Sequence, residues 1–195
     1  MNFLAHALLA GDDPGDRLGA MLGDFVKGPL PAGLPAAVAA GVALHRRIDS
    51  FADGHAAFQR SRRRVSTARR RYAGIMVDLF YDHFLAAHWR AYCSEPLPTF
   101  TAGIYDLLAR HQPLLPPRLG LIFPAMHAQD WLGSYREIEA VGAALDGMAR
   151  HRLRQPNGLS GAVEELHADY AGFEQDFRHF FSDVREFATR HRRAR

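Results

Sequence analysis

Residues 74–89, GIMVDLFYDHFLAAHW, carry two carboxylates, Asp78 and Asp82, four positions apart inside an almost continuous apolar surround. At about 100° per residue they share nearly one helix face, flanked by Ile75, Leu79 and Ala86, where water does not readily solvate them. A buried carboxylate stays charged only beside a hydrogen-bonded cation or a metal; otherwise its pKa rises and it takes a proton. The adjacent His83 points about a quarter-turn away. Taken alone, the segment also fits a pair of core carboxylates tied to arginines.

A second stripe lies in VALHRRIDSFAD, where His45, Asp49 and Asp53 recur every fourth residue. Ligands four apart on a helix can reach one ion, and imidazole with carboxylate suits manganese, iron, zinc or magnesium. An exposed ladder pairing Asp49 and Asp53 with Arg46 or Arg47 gives the same spacing. Asp24 ends the apolar run LGAMLGDFVKG, and His6 lies within NFLAHALLA. Each is bland by itself: a core histidine and a carboxylate capping the turn at Lys27-Gly28 would look alike. Recurrence is what counts, because four segments in the first 90 residues each set a His or Asp among apolar side chains. Convergence on one metal accounts for all four together. Asp130, in MHAQDWLGSY, is the one later candidate and equally suits a structural bond near Trp131 or Tyr135. There is no G-x-S-x-G box, no glycine-rich phosphate loop after a strand, and no histidine near Cys93, so a metal-activated water is the natural attacking group for hydrolysis here.

Between the two acid-bearing segments, seven arginines fall within the twelve residues 60–71. A solvated helix face is the usual meaning of such a run. The nearest acids are remote in sequence, however, and planar guanidinium donors match phosphate and carboxylate groups, so an anionic partner is the favoured reading. Aromatics for base stacking are missing from the run, which argues against nucleic acid.

The elements that must position these groups are helices. Alanine and leucine dominate, β-branched residues are sparse, and apolar positions recur at helical spacing. Helices are predicted at 3–10, 16–26, 35–53, 55–70, 72–91, 99–111, 117–130, 132–150 and 159–190, separated by turn-rich stretches at 11–15, 27–35, 94–98, 112–117 and 155–158. The expectation is an all-α, compact helical bundle forming one domain over 1–195. Its metal-site helices fall within 1–91, its supporting helices within 98–190, and 191–195 form a frayed, solvated tail. The single cysteine excludes an internal disulfide and suits a reducing compartment. The first residues lack the basic stretch of a secretory signal, and no apolar run approaches the roughly 20 residues of a membrane span, so cytoplasm is expected. The net charge of +3 is modest, but its concentration in clusters favours an acidic partner.

The segments MNFLAHALLA, LGAMLGDFVKG, GVALHRRIDSFAD and RRYAGIMVDLFYDHFLAAHW, in that order, resemble the acyl carrier protein phosphodiesterase (acyl carrier protein hydrolase) family. The likeness is collinear over 1–91, with a weaker echo in 129–152. It implies an enzyme that removes 4′-phosphopantetheine from holo acyl carrier protein, with Mn²⁺ as the usual metal and a distant likeness to the all-helical HD-domain phosphohydrolases. Carried onto this chain, it implies metal ligands among Asp24, His45, Asp49, Asp78 and Asp82, and proton transfer by His83 or His6. The doublet here reads Asp-His rather than His-Asp, so ligand roles do not transfer from HD proteins. Acyl carrier proteins are acidic, which gives Arg62, Arg63, Arg64, Arg69, Arg70 and Arg71 a docking role. The alternatives are an HD-like phosphohydrolase acting on a nucleotide or other small phosphate ester, and a non-catalytic helical protein that binds an acidic partner.

Overall fold

A computed structural model describes residues 2–151 and 157–193, and every residue in it that is not in a helix is in a turn, bend or loop; no strand occurs among them. The all-α expectation therefore holds. The elements that matter for the site are α1 (Phe3–Leu9), α2 (Pro14–Leu22), α3 (Ala36–Gly54), α4 (Ala56–Arg64) and α5 (Ala73–Ala87). Around them stand α6 (Leu97–Arg110), α7 (Pro117–Ala128), α8 (Trp131–Ser134), α9 (Ile138–His151), α10 (Val163–Ala168) and α11 (Tyr170–Arg193).

Helix α5 is the hub. Its side chains from Met76 to Ala86 are buried apart from Asp78, so it is apolar on every side, as a helix wrapped by others must be. The long helix α11 supplies Phe173, Phe177, Phe180, Phe181, Val184 and Ala188 at heptad-like spacing. These rings mesh with Phe58, Phe80, Tyr81 and Phe84 at centroid distances of 5.1–5.8 Å, in the tilted and edge-to-face geometries that aromatic quadrupoles favour.

Helices α2 and α3 run the same way with almost touching backbones. A methyl group on Gly19 would sit 2.3 Å from the Val38 carbonyl oxygen, and one on Gly41 would sit 2.6 Å from that of Asp16. Only glycine permits that approach. It fixes the register in which the end of α2 meets the middle of α3, and the return is made by the turn-rich segment 23–35. The start of α2 is locally encoded: Asp13 caps it by accepting from the Asp16 amide at 2.9 Å, and Pro14 occupies its first turn.

Four predicted helix boundaries need correction. The helix expected over 16–26 ends at Leu22, so Asp24 stands in the following turn. The helix expected over 55–70 ends at Arg64: Val65 is extended, and the Ser66 amide bonds Glu165 at 2.9 Å instead of continuing the helix. The helix expected over 132–150 divides because Asp130, with φ of 41°, caps the separate short turn of α8. The helix expected over 159–190 breaks at Asp169, whose carboxylate accepts from the Gly172 amide. His191 to Arg193 continue α11 rather than fraying from it; Ala194 and Arg195 lie outside the described residues, as do 155–156 of the predicted loop and the last residue of the 129–152 echo. No helix among the described residues is long and apolar enough to cross a membrane.

Candidate metal centre and cleft

α1, the turn after α2, and α3 bring His6, Asp24, His45 and Asp49 together. The Asp49 carboxylate stands 3.0 Å from His6 Nε2 through one oxygen and 3.1 Å from His45 Nε2 through the other. Asp24 Oδ1 lies 3.5 Å from the same His45 nitrogen. The two imidazoles are buried and stacked, with ring centroids 3.7 Å apart. Gly23 makes room for this: a Cβ there would fall 2.2 Å from the His45 ring. His45 Nδ1 donates to the Ala20 carbonyl at 2.8 Å, so the chain itself fixes the ring with Nε2 facing the carboxylates.

The protons of this cluster divide unevenly. Burial works against a charge on His45, but hydrogen bonds to Asp24 and Asp49 outweigh it and raise its pKa to about 9. Burial, reinforced by the neighbouring His45 charge, lowers His6 to about 3. Burial likewise opposes ionisation of Asp49 and Asp24, yet the imidazoles hold both below the usual carboxylate range. Two partly exposed carboxylates against one buried imidazolium leave one net negative charge in the cluster, which favours a cation. Ligand atoms of His6, His45 and Asp49 all fall within 4.8 Å of one another. Imidazole nitrogens with carboxylate oxygens form the donor set of a divalent first-row metal, and a backbone carbonyl orienting one imidazole is the usual outer support. His6 Nδ1 is buried without a hydrogen-bond partner, so that ring is held through Nε2. The residues present fit a metal ion.

Asp24 and Asp49 of the cluster line a cleft of about 550 Å³. Asp24, Asp49, Asp53 and Asp78 contribute acids to its lining; Ala52, Phe58, Ile75, Leu79, Met148 and Leu159 form apolar walls; Asn2, Lys27 and Arg118 complete it. Burial raises the pKa of the Asp78 carboxyl above its ordinary value.

Two of the expected site residues lie elsewhere. Asp82 is fully buried, does not line the cleft, and accepts from the amides of Leu4 and Ala5 at 2.9 and 3.0 Å. Those amides belong to the first turn of α1, which has no side-chain cap of its own, so Asp82 caps that helix from α5. The correction is from metal ligand to anchor of the segment that carries His6. His83 is enclosed between the Tyr135 carbonyl, to which Nδ1 donates at 2.9 Å, and the Tyr170 hydroxyl, 3.0 Å from Nε2. Burial lowers its pKa, and both nitrogens are occupied, so it belongs to the core rather than to proton transfer in the cleft. Asp130 is the cap of α8, with its carboxylate 3.1 Å from the Gly133 amide.

The arginine run also divides. Arg60 and Arg64 each place Nε 2.8 Å from the buried Asp176 carboxylate on α11, and Arg64 also pairs with Asp169. Arg69 donates to the Gly158 and Ser160 carbonyls at 2.6 and 2.7 Å, and Arg70 to those of Val65 and Arg63. For Arg64, Arg69 and Arg70 the expected docking role gives way to fastening: Arg64 meets remote carboxylates once α11 packs on α4, Arg69 holds the 158–160 segment, and Arg70 closes the turn after α4. Arg62 lies 3.6 Å from Asp53 at the cleft rim, while Arg63 and Arg71 are exposed.

Lys27, Arg118 and Asn2 escaped sequence reasoning. Lys27 reads as part of a turn, and Arg118 follows two prolines far down the chain; only the fold brings them to the cleft.

The model of the acyl carrier protein phosphodiesterase family matches residues 1–184. Proteins named acyl carrier protein phosphodiesterase are similar over nearly their whole length. The one from Serratia proteamaculans (strain 568) is 35% identical, with 96% of this chain and 97% of its own covered. That from Photorhabdus laumondii is 32% identical, with 96% and 95% covered. That from Escherichia coli O45:K1 is 34% identical, with 97% and 98% covered. No solved structure matches.

Proposed function

Because the chain belongs to the acyl carrier protein phosphodiesterase family, we propose that it hydrolyses the phosphodiester joining 4′-phosphopantetheine to the serine of holo acyl carrier protein, using a divalent metal held in the cleft. The observation that carries the metal-dependent part is the convergence of His6, Asp24, His45 and Asp49 beside the cleft that Asp24 and Asp49 line. Mn²⁺ is the metal that the family resemblance implies, and the mixed nitrogen and oxygen set also admits Mg²⁺, Fe²⁺ and Zn²⁺. When bound, such an ion supplies Lewis acidity to a phosphate oxygen and lowers the pKa of water towards roughly 7.

His45 presents its unprotonated Nε2 once a cation replaces the proton it otherwise holds between Asp24 and Asp49, while Ala20 keeps the ring in place. His6 passes from proton transfer, its expected role, to the ligand set. Asp78 stands in the cleft wall, burial raises its pKa above the ordinary carboxylate value, and it fits the donor to the departing serine oxygen. In that scheme a water oxygen bonds phosphorus, the bond from phosphorus to the serine oxygen breaks, and the serine leaves with the proton of Asp78. A proton from the attacking water then restores the acid. The apolar walls, with Phe58, Ile75 and Leu79, suit the pantetheine arm and limit bulk water around the reacting group.

The deciding experiment is incubation with holo acyl carrier protein and Mn²⁺, followed by mass spectrometry of the carrier. The expected result is loss of the phosphopantetheine mass, absent with chelator and reduced by about 10³-fold or more in Asp49→Asn. Turnover undiminished by chelator would exclude the metal, and an unchanged carrier would exclude the reaction.

A further inference from the structure

We propose that the acyl carrier protein docks on a surface beside the cleft formed by the start of α7, which carries Arg118 and Leu121, and the turn after α2, which carries Lys27. The inference rests on the reaction proposed above and adds where the protein part of the substrate sits.

The geometry of the scissile bond forces the carrier close. Only the Cα–Cβ, Cβ–O and O–P bonds separate its backbone from the phosphorus, a reach of about 4 Å when extended. A carrier whose phosphodiester lies over the His45 and Asp49 cluster must therefore press its own surface against the rim. It cannot be held at a distance by the arginine run, of which Arg64, Arg69 and Arg70 are already engaged.

Among the charged residues that line the cleft, four are acids and two, Lys27 and Arg118, are cations. Both are exposed, and neither forms an ion pair among the described residues, so their charge is available to a partner. One turn along α7 from Arg118 stands Leu121, 81% exposed and the single large hydrophobic side chain so placed among the described residues. Residues three apart share a helix face, so the guanidinium and the leucine are presented together. A charge matched to an acidic surface gives orientation and on-rate, and an exposed leucine beside it gives an apolar contact that salt does not screen. An acidic protein with a small apolar patch meets both requirements, whereas a small phosphate ester would have no use for Leu121.

The experiment compares steady-state kinetics of wild type, Arg118→Glu and Leu121→Ser on holo acyl carrier protein with Mn²⁺, with thermal melting as a check of the fold. Both variants should melt as wild type and raise KM for the carrier about fivefold or more while kcat stays within about twofold. Added salt should raise the wild-type KM but have little further effect on Arg118→Glu. Unchanged KM in both variants overturns the proposal. So does a fall in kcat at unchanged KM for Arg118→Glu, which would place that guanidinium on the reacting phosphate. If wild type itself releases no phosphopantetheine, the proposed reaction fails and this inference with it; an active wild type with indifferent variants refutes the docking surface alone.

Discussion

Asp82 illustrates how one residue type at one spacing can serve two different ends. It and Asp78 are one turn apart on α5, yet one lines the cleft and the other binds two amides of α1. Burial raises the Asp82 carboxyl to about 7, against the pull of those amides. The folded protein therefore binds this proton more tightly than the unfolded chain does. The group's contribution to stability is full below the unfolded pKa of about 3.9 and is lost as pH rises through about 7. Asp82→Asn keeps the shape without the titration, at a constant cost from a lost acceptor. The stability of wild type relative to Asp82→Asn should thus fall between pH 4 and 7 by on the order of 3–4 kcal/mol, measured by denaturant unfolding in metal-free buffer at each pH. A constant difference over that range would mean that the carboxylate stays charged at the head of α1.

At the scale of elements, α4 shows why a charge run cannot be read as a surface. Its arginines at 60 and 64, themselves partly exposed, reach across to α11, where they meet the buried Asp176, hydrogen-bonded also by Ser61. Its neighbour Arg63 is exposed. Arg64→Ala should cost about 2–4 kcal/mol, less than the full loss of a buried pair because Arg60 remains on the same carboxylate. Arg63→Ala should change stability by no more than about 0.5 kcal/mol. Urea unfolding of the two variants separates them, and equal midpoints would refute the fastening role. A test of electrostatic steering by this region should therefore replace Arg62, Arg63 and Arg71, because a variant that includes Arg64 confounds docking with stability.

Across the whole molecule, the proposed metal centre would link the N-terminal helix to the α2–α3 pair, so a bound ion should stabilise their mutual packing. At about a hundredfold excess over its dissociation constant, a ligand that binds only the folded state adds roughly 2.7 kcal/mol, which for a chain of this size raises Tm by about 5–10 °C. Mn²⁺ should produce that rise in calorimetry of chelated wild type and no rise in Asp49→Asn; the same rise in both would place the ion elsewhere. Much of this design was legible in one dimension. Helical periodicity fixed the all-α class, because period and propensity are local properties. The His45–Asp49 stripe was equally legible, since two groups four apart on a helix share a face wherever the helix goes. The ordered motifs of residues 1–91 carried the family. The tertiary structure alone decided which polar side chains share that stripe's surroundings. It drew His6 and Asp24 in, through the Gly19–Gly41 contact and the space left by Gly23, and turned Asp82 and His83 towards other partners. It also brought Lys27 and Arg118 to one cleft across ninety residues of chain and spent Arg64, Arg69 and Arg70 on internal bonds. The reason is physical: a buried polar group must be satisfied, but its sequence says only that it needs a partner, and which partner is within reach depends on how the helices pack.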